Sequence, residues 1–182
     1  MRFLRNGTWT RFSQAFVCLP VVLLSLAPTL AHAATQYVAK FVCGTPSTAP
    51  PEGDVPRAAL RPGTYTTEIN IHNPNGLAIS FLKKAVKARP QGFPPQPPSR
   101  FRQETLGPDF ALAVDCTNIF ELFGESFVPF SSFKKGFLVI VLPTGSGPLD
   151  VIGVYTVSAG ASTATGAPVS MEVVPISPTI SK

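Results

Sequence analysis

His72 is the residue of this sequence that most suggests catalysis, because the chain has two histidines and the other, His32, lies next to an N-terminal apolar run. An imidazole held by an acid beside a serine is the arrangement of a nucleophilic hydrolase. No nucleophile elbow is recognisable, and no spacing singles out a partner for His72. We therefore interpret His72 as a turn residue at a strand end. A secreted hydrolase using His72 with a nearby acid is the alternative hypothesis.

Metal and cofactor chemistry find little support in the sequence. Zinc takes three or four His, Cys or carboxylate ligands, and beyond the cysteines only His72 and scattered acids remain. Walker loops, Gly-x-Gly-x-x-Gly and Cys-x-x-Cys motifs are absent from the sequence. We predict no catalytic residues, no metal, no cofactor and no enzymatic activity.

Asp115 is an acid beside Cys116, at the start of a short predicted helical turn over 117–123. Negative charge is favoured at the beginning of a helix, where backbone N–H groups lack partners. We expect Asp115 to satisfy those groups, and a functional acid is the alternative. Thr117 is the residue that we expect to cap the helix.

A basic stripe follows one predicted strand and resumes after a proline-rich segment, Pro90–Pro98. Its six cations would form an anion-binding patch for a glycan, an anionic lipid surface or a nucleic acid. The alternative is a solvated edge strand, on which lysine blocks unwanted pairing. The residues are Lys83, Lys84, Lys87, Arg89, Arg100 and Arg102.

The first 33 residues have the three parts of a secretory signal peptide. Arginines precede an apolar run from Ala15 to Ala27, and Ala31-His32-Ala33 offers small residues at a peptidase site, with cleavage after Ala33 or Ala34. The apolar run is shorter than the about 20 residues of a membrane span. We predict a signal peptide over 1–33, a single β-sandwich domain over 34–174, a flexible tail over 175–182, and no transmembrane span in the mature chain.

Removal of the signal peptide changes the charge balance. The whole sequence has 15 basic and 10 acidic residues, and Arg2, Arg5 and Arg11 leave with the signal, so the mature chain has 12 basic residues against 10 acidic ones. A net charge of +2 gives little support to a nucleic-acid partner. We expect a secreted or periplasmic protein whose partner is an envelope component, an anionic glycan or another protein.

Two cysteines remain after cleavage, Cys43 and Cys116. An even pair in an oxidising compartment is most simply one disulfide bond. Both cysteines fall on the apolar faces of predicted strands, which suits a buried bridge.

Period-2 alternation of apolar residues dominates the mature sequence, and no segment has the pattern of a crossover helix. Seven or eight short strands separated by turn signals predict an all-β antiparallel sandwich, immunoglobulin-like in shape. We expect Thr64–His72 and Leu77–Arg89 to form a hairpin around Asn73–Gly76. Gly136–Leu142 is apolar on both faces and should be central, and Leu149–Val157 returns after a turn.

Five segments of the mature sequence also carry a resemblance, and they are Tyr37–Gly44, Pro62–Pro74, Val114–Cys116, Lys135–Ile140 and Leu149–Thr156. In order and spacing they resemble a group of exported prokaryotic single-domain β-sandwich proteins, over most of the mature domain. The resemblance implies export and one domain, and it implies no activity.

These observations favour an exported, non-enzymatic binding, adhesion or structural module. Its contact with an anionic surface or glycan would be made through the basic stripe. The scarcity of reactive groups is the main argument against the hydrolase.

Overall fold

A computed structural model describes residues 34–46, 63–128, 131–158 and 170–181. All of them belong to one compact unit, Ala31–Lys182. The predicted signal peptide at 1–33 and most of the proline-containing loop at 44–63 lie outside the described residues, as does most of the loop at 158–167. No helix among the described residues is long and apolar enough to cross a membrane.

Nine strands and one helix make up the described part of the chain. They are β1 (Ala34–Gly44), β2 (Thr64–His72), β3 (Ile79–Lys87), β4 (Arg102–Leu106), β5 (Ala111–Asp115), α1 (Cys116–Leu122), β6 (Phe133–Leu142), β7 (Asp150–Ser158), β8 (Ser170–Pro175) and β9 (Thr179–Ser181).

The strands are antiparallel and form two layers. The first layer has the order β4-β3-β6-β1, with β9 added to the start of β1. The second layer contains β2, β7 and β8 in that order, with β5 on the other edge of β2. One pair, Gly44 with Tyr65, joins the layers into a continuous sheet. The predicted all-β, antiparallel, sandwich-like fold with one short helix is confirmed.

The core lies between the layers, on the faces that the alternation predicts. Tyr37 and Phe41 of β1 point inward together with Leu138 and Ile140 of β6. Ile69 of β2 meets them from the second layer. Because successive side chains of a strand point to opposite faces, every second residue along most of β1, β2, β3 and β6 enters this core.

The tyrosine hydroxyl of Tyr37 also has a partner inside the core. It accepts a hydrogen bond from the backbone N–H of Leu149, with 2.9 Å between the nitrogen and the oxygen. This bond fastens the segment before β7 to the first strand.

Gly136 occupies a position in β6 where a side chain has no room. A Cβ there would lie 1.9 Å from the backbone oxygen of Val86 and 2.9 Å from the ring of Phe41. The glycine therefore allows β6 to lie between β1 and β3, which confirms the prediction that this strand is central.

The predicted hairpin of β2 and β3 is wrong. β3 pairs with β4 and β6, whereas β2 pairs with β5 and β7. Asn73 is the physical reason, because it is fully buried and its amide donates to the carbonyl oxygens of Leu77, Leu106 and Gly107 at 2.9 to 3.1 Å. The chain therefore crosses to the other layer after His72 instead of folding back.

The end of the chain also differs from the flexible tail expected over 175–182. Thr179–Ser181 form β9 and pair with Ala34–Gln36 of β1. β9 is thus the strand beyond the seven or eight that the sequence predicts.

Helix α1 begins one residue earlier than predicted, and its N-cap is Asp115 rather than Thr117. The carboxylate of Asp115 accepts a hydrogen bond from the backbone N–H of Asn118 at 2.9 Å. The side chain of Asn118 accepts in return from the backbone N–H of Asp115. This reciprocal capping box is a structural role for the acid, as the sequence indicates.

The disulfide between Cys43 and Cys116 is confirmed. It joins the end of β1 to the start of α1, with 5.6 Å between the two Cα atoms. Both cysteines are buried in the core. The bridge therefore ties the two layers together near the point where β1 meets β2.

Candidate functional site

Three cations of the basic stripe, Lys87, Arg100 and Arg102, line one pocket. The pocket has a volume of about 640 Å³ and lies between the Gln96–Arg102 segment and the last turn of α1. We call it the basic pocket. It brings half of the predicted stripe together in one concave surface.

Each cation of the basic pocket has a different environment. Arg102 donates from Nη2 to the backbone oxygen of Glu121 at 3.1 Å, which fixes its guanidinium against the end of α1. Lys87 donates from Nζ to the Glu125 carboxylate at 3.0 Å and lies 4.7 Å above the ring of Phe123. Arg100 is exposed, and no side-chain partner for its guanidinium is found among the described residues.

Glu125 balances part of this positive charge. Hydrogen bonds from Lys134 and Lys87 hold the pKa of its carboxyl below the usual range, although partial burial opposes the shift. The group is therefore a carboxylate shared by two lysines at neutral pH. Arg100 is the cation most open to an incoming anion, since Lys87 is paired with Glu125 and the guanidinium of Arg102 is held by the Glu121 carbonyl oxygen.

Lys83 lies away from the basic pocket, because it faces inward and is 7 % exposed. Its ammonium pairs with Glu104 of the neighbouring strand β4 at 2.9 Å. Burying a lysine is costly unless the charge is paired, so this ion pair accounts for its position. The role of Lys83 in anion binding remains a prediction.

Lys84 and Arg89 also lie outside the basic pocket. Lys84 sits 4.5 Å from the centre of the Phe101 ring, and Arg89 sits 5.3 Å from the centre of the Phe93 ring. These cation–π contacts leave the charges at the surface. The six cations of the predicted stripe are therefore divided into three that line the basic pocket, one buried lysine that pairs with Glu104, and two that stack on aromatic rings.

Charge is unevenly distributed between the two layers. The strands β2, β5, β7 and β8 contain four acids and no lysine or arginine. The strands β1, β3, β4 and β6 contain seven lysines and arginines and a single acid, Glu104. The basic pocket therefore belongs to a strongly positive layer.

His72 lies between two carboxylates at the end of β2. Its Nε2 is 3.0 Å from Asp109 and its Nδ1 is 3.1 Å from Asp150. These hydrogen bonds, first to Asp109 and then to Asp150, raise the pKa of the imidazole above 6.5. Since both ring nitrogens are engaged, the histidine links three chain segments, and neither nitrogen is free to activate a nucleophile.

Asp109 reaches this position through an uncommon backbone conformation. Its φ is 61°, in the left-handed region that aspartate tolerates better than most residues. Its backbone N–H donates to the oxygen of Asn73 at 2.9 Å. The buried turn at Asn73 therefore positions one of the two partners of His72.

Groups of three or more His, Cys, Asp or Glu side chains that could hold a metal ion are not found in the described ranges.

The structure contains a second concave surface that the sequence interpretation missed. It is a groove of about 470 Å³ that runs beside β1, between β1 and the strands β2, β7 and β8, and it reaches Phe137 of β6 on the outer face of the first layer. Val38, Lys40 and Val42 line one side of this groove, and Tyr155, Glu172 and Val174 line the other. We call it the β1-edge groove. The sequence contained one signal of this groove, the polar residue Thr67 at a core-facing position of β2. Its hydroxyl bonds the backbone of Val42, where no strand pairs with that edge of β1 in the described structure.

Tyr155 provides a polar group inside the β1-edge groove. Burial and the neighbouring Glu172 raise the pKa of its phenol above 10.0, so the hydroxyl keeps its proton. A Cβ on Gly153 would lie 2.6 Å from this hydroxyl. The missing side chain of Gly153 thus makes room for the Tyr155 ring to lie along β7.

Comparison with known proteins gives no further assignment for either surface. No protein-family model, curated protein or solved structure matches this chain.

Proposed function

We propose that this chain is an exported, non-enzymatic binding module that contacts an anionic glycan through the basic pocket. The observation that carries the proposal is the free guanidinium of Arg100 beside Arg102 and Lys87 in one concave surface. A guanidinium presents its N–H donors as a planar fork that matches carboxylate, sulfate and phosphate groups. Such groups are the charged substituents of anionic glycans.

The charge of the surrounding layer supports the same function. The strands of the layer that contains the basic pocket, β1, β3, β4 and β6, carry seven cations and one acid. Glu121 also lines the pocket, so three cations stand there against one acid. An excess of one charge sign in a concave surface raises the local concentration of oppositely charged ligands and their rate of association. A polyanion would bind the free guanidinium of Arg100 and would also be attracted electrostatically by the other cations of this layer.

Export is part of the proposal. The Cys43–Cys116 disulfide is compatible with an oxidising compartment outside the cytoplasm. The predicted signal peptide over 1–33 and the resemblance to exported β-sandwich proteins point the same way, and both remain predictions.

The alternative, a secreted hydrolase using His72, has weaker support. A general base needs a ring nitrogen within reach of the group that it deprotonates, and both nitrogens of His72 contact carboxylates. The clamp between Asp109 and Asp150 is better suited to joining chain segments.

Retention on immobilised heparin, followed by elution with increasing NaCl, tests the proposed function. The variant Arg100→Ala/Arg102→Gln removes two charges from the basic pocket. Charge-assisted hydrogen bonds contribute about 1.5–3 kcal/mol each, so we expect binding to weaken about tenfold or more. Thermal unfolding of both proteins verifies that the variant is folded.

The matched control is Lys84→Ala/Arg89→Ala, which removes the same number of charges from the same stripe outside the pocket. We expect this control to elute close to the wild-type protein. Equal losses in the two variants would mean that net charge, rather than the basic pocket, holds the glycan. Unchanged retention of the Arg100/Arg102 variant would refute the proposed function.

A further inference from the structure

The edge of β1 that faces the β1-edge groove is open along its middle. β9 pairs with this edge over Ala34–Gln36, and β2 pairs with it at Gly44. Between these two points, none of the described strands pairs with this edge of β1. The opposite edge of β1 pairs with β6 over its length from Thr35 to Gly44.

The contacts of Val42 fix the direction of the backbone groups on this edge. Its N–H donates to the Thr67 hydroxyl at 3.0 Å, and its carbonyl oxygen accepts from the same hydroxyl at 2.9 Å. Backbone groups of alternate residues point to the same edge of a strand. The N–H and C=O groups of Val38 and Lys40 therefore point away from β6, toward the groove.

These four backbone groups have no hydrogen-bond partner among the described residues. The next group along the edge, the carbonyl oxygen of Gln36, accepts from the Thr179 hydroxyl at 3.2 Å. Unpaired N–H and C=O groups on a strand edge are a template for another strand. The open part of β1 thus offers two donors and two acceptors at regular spacing.

We propose that the β1-edge groove binds an extended peptide segment of a partner protein, which adds a strand to β1 between β9 and Gly44. An extended polypeptide is the ligand that supplies donors and acceptors at the two-residue repeat of a strand edge. The open stretch, Tyr37–Phe41, accommodates about five residues, or roughly 17 Å of strand, and it ends where the Thr67 hydroxyl bonds the backbone groups of Val42. This site is separate from the basic pocket and does not depend on the proposed glycan binding.

The side chains beside the open edge specify which peptide would bind. Val38, Lys40 and Val42 share the outer face of β1, and Lys40 has no ion-pair partner in the described structure. Residues opposite each other on adjacent strands contact directly. The peptide should therefore place an acid opposite Lys40 and apolar residues two positions before and after it.

The opposite side of the groove limits the size of these residues. Val174 and the Tyr155 ring face the groove from β8 and β7. β-branched side chains of moderate size suit a pleated surface of this kind. We infer an apolar–x–acid–x–apolar pattern in the partner.

A blocked heptapeptide with valine at its second and sixth positions, glutamate at its fourth and threonine elsewhere is the probe for this site. We expect fluorescence anisotropy to show binding with a dissociation constant at or below about 1 mM. The same peptide with lysine at the fourth position is the matched control. It should bind about two- to fivefold more weakly, because a cross-strand charge pair contributes a fraction of 1 kcal/mol.

Two substitutions of Lys40 separate the backbone contribution from the charge. Lys40→Pro removes an N–H that points into the groove and not toward β6. A strand tolerates proline at such a position, because no ladder hydrogen bond is lost. It should weaken binding of the glutamate peptide about tenfold or more. Lys40→Thr keeps the N–H, so it should bind both peptides and lose the preference for glutamate. If Lys40→Pro does not fold, Val38→Pro tests the same edge.

Hydrogen–deuterium exchange of the free protein supplies an independent measurement. The amide of Ala39 points to β6 and should be protected, whereas the amides of Val38 and Lys40 should exchange much faster. Equal protection of the three amides would show that another part of the chain already covers the edge, and would overturn the proposal. Absence of peptide binding, or wild-type binding by the folded proline variant, would overturn it as well.

Discussion

Removal of the Thr67 hydroxyl should destabilise the protein more than its small size suggests. Thr67 is 2 % exposed, and its hydroxyl is the hydrogen-bond partner of both the N–H and the C=O of Val42. Thr67→Val keeps the shape of the side chain and leaves these two backbone groups without a partner. No strand lies beside Val42 to replace the hydroxyl in the described part of the structure.

The magnitude follows from the number of groups left unpaired. Each buried backbone group without a partner costs about 1–3 kcal/mol. Burying a methyl in place of the hydroxyl offsets about 1 kcal/mol. Because the groove allows water near Val42, the lower part of this range applies, and we expect a loss of about 2 to 3 kcal/mol in the free energy of unfolding.

Urea unfolding followed by circular dichroism measures this loss. With a slope of about 2 kcal/mol/M, the midpoint should fall by about 1 to 1.5 M at unchanged slope. Thr66→Val is the matched control, because Thr66 is exposed on the other face and bonds only Thr156. Its effect should stay within about 0.5 kcal/mol.

A third variant, Thr67→Ser, keeps the hydroxyl and removes the methyl group. It should recover more than half of the stability that Thr67→Val loses. Equal destabilisation by the serine and valine variants would assign the effect to packing. Equal effects of Thr67→Val and Thr66→Val would refute the reasoning about the open edge of β1.

Two further predictions concern the disulfide and His72. The 73-residue separation of Cys43 and Cys116 implies about 4 kcal/mol of stabilisation by loop closure, so the double alanine variant should lose roughly that amount in urea unfolding. For His72, the folded-state pKa is raised above 6.5, so its clamp stabilises the fold fully below pH 6.5 and loses this contribution as pH rises through the folded-state pKa. The stability difference between wild type and His72→Gln should therefore shrink as the pH rises above 6.5 and through the raised folded-state pKa of His72.

Each of these predictions has a clear contrary result. A loss below about 1 kcal/mol in the double alanine variant would contradict the loop-closure argument, provided that the wild-type protein is oxidised in the same assay. For His72, parallel stability–pH curves of the two proteins would show that the imidazole does not gain a proton on folding. NMR titration of the His72 ring protons gives the folded-state pKa directly.

Local patterns in the sequence were sufficient to predict most of the strands, although not β9. The alternation in Thr64–His72 gives the bounds of β2, and the doubly apolar Gly136–Leu142 indicates the central position of β6. The position of Cys43 and Cys116 on the apolar faces of their predicted strands indicates a buried disulfide bond. These features depend on residues within one strand, so they can be derived without knowing which strands are neighbours.

Pairing between strands was less predictable, because it depends on contacts between distant residues. The turn-like composition around Asn73 suggests a hairpin, yet the burial of its amide sends the chain to the other layer. Phe110 alternates with buried residues and is nevertheless 66 % exposed, since it precedes the first residue of β5.

The candidate site was likewise predictable from the sequence only where it depends on residues within one segment. The sequence identified the cations, but alternation alone did not show that Lys83 faces the core or that Glu104 lies opposite it in β4. Arg100 and Arg102 are separated from Lys87 by a proline-rich segment, and the structure was needed to place the three in one pocket. The open edge of β1 depends on where β9 ends, and the sequence contains only the indirect signal of a polar residue, Thr67, at a core-facing position of β2.

The division of charge between the two layers gives the molecule a permanent electric dipole moment. Four acids lie in the strands of one layer, and seven cations with one acid lie in those of the other. Near a negatively charged surface, such a dipole experiences a torque that turns the positive layer forward before any contact is made. This torque decays within about 10 Å at 0.1 M salt. The protein would therefore arrive with the basic pocket leading at low ionic strength, and in random orientations when the field is screened.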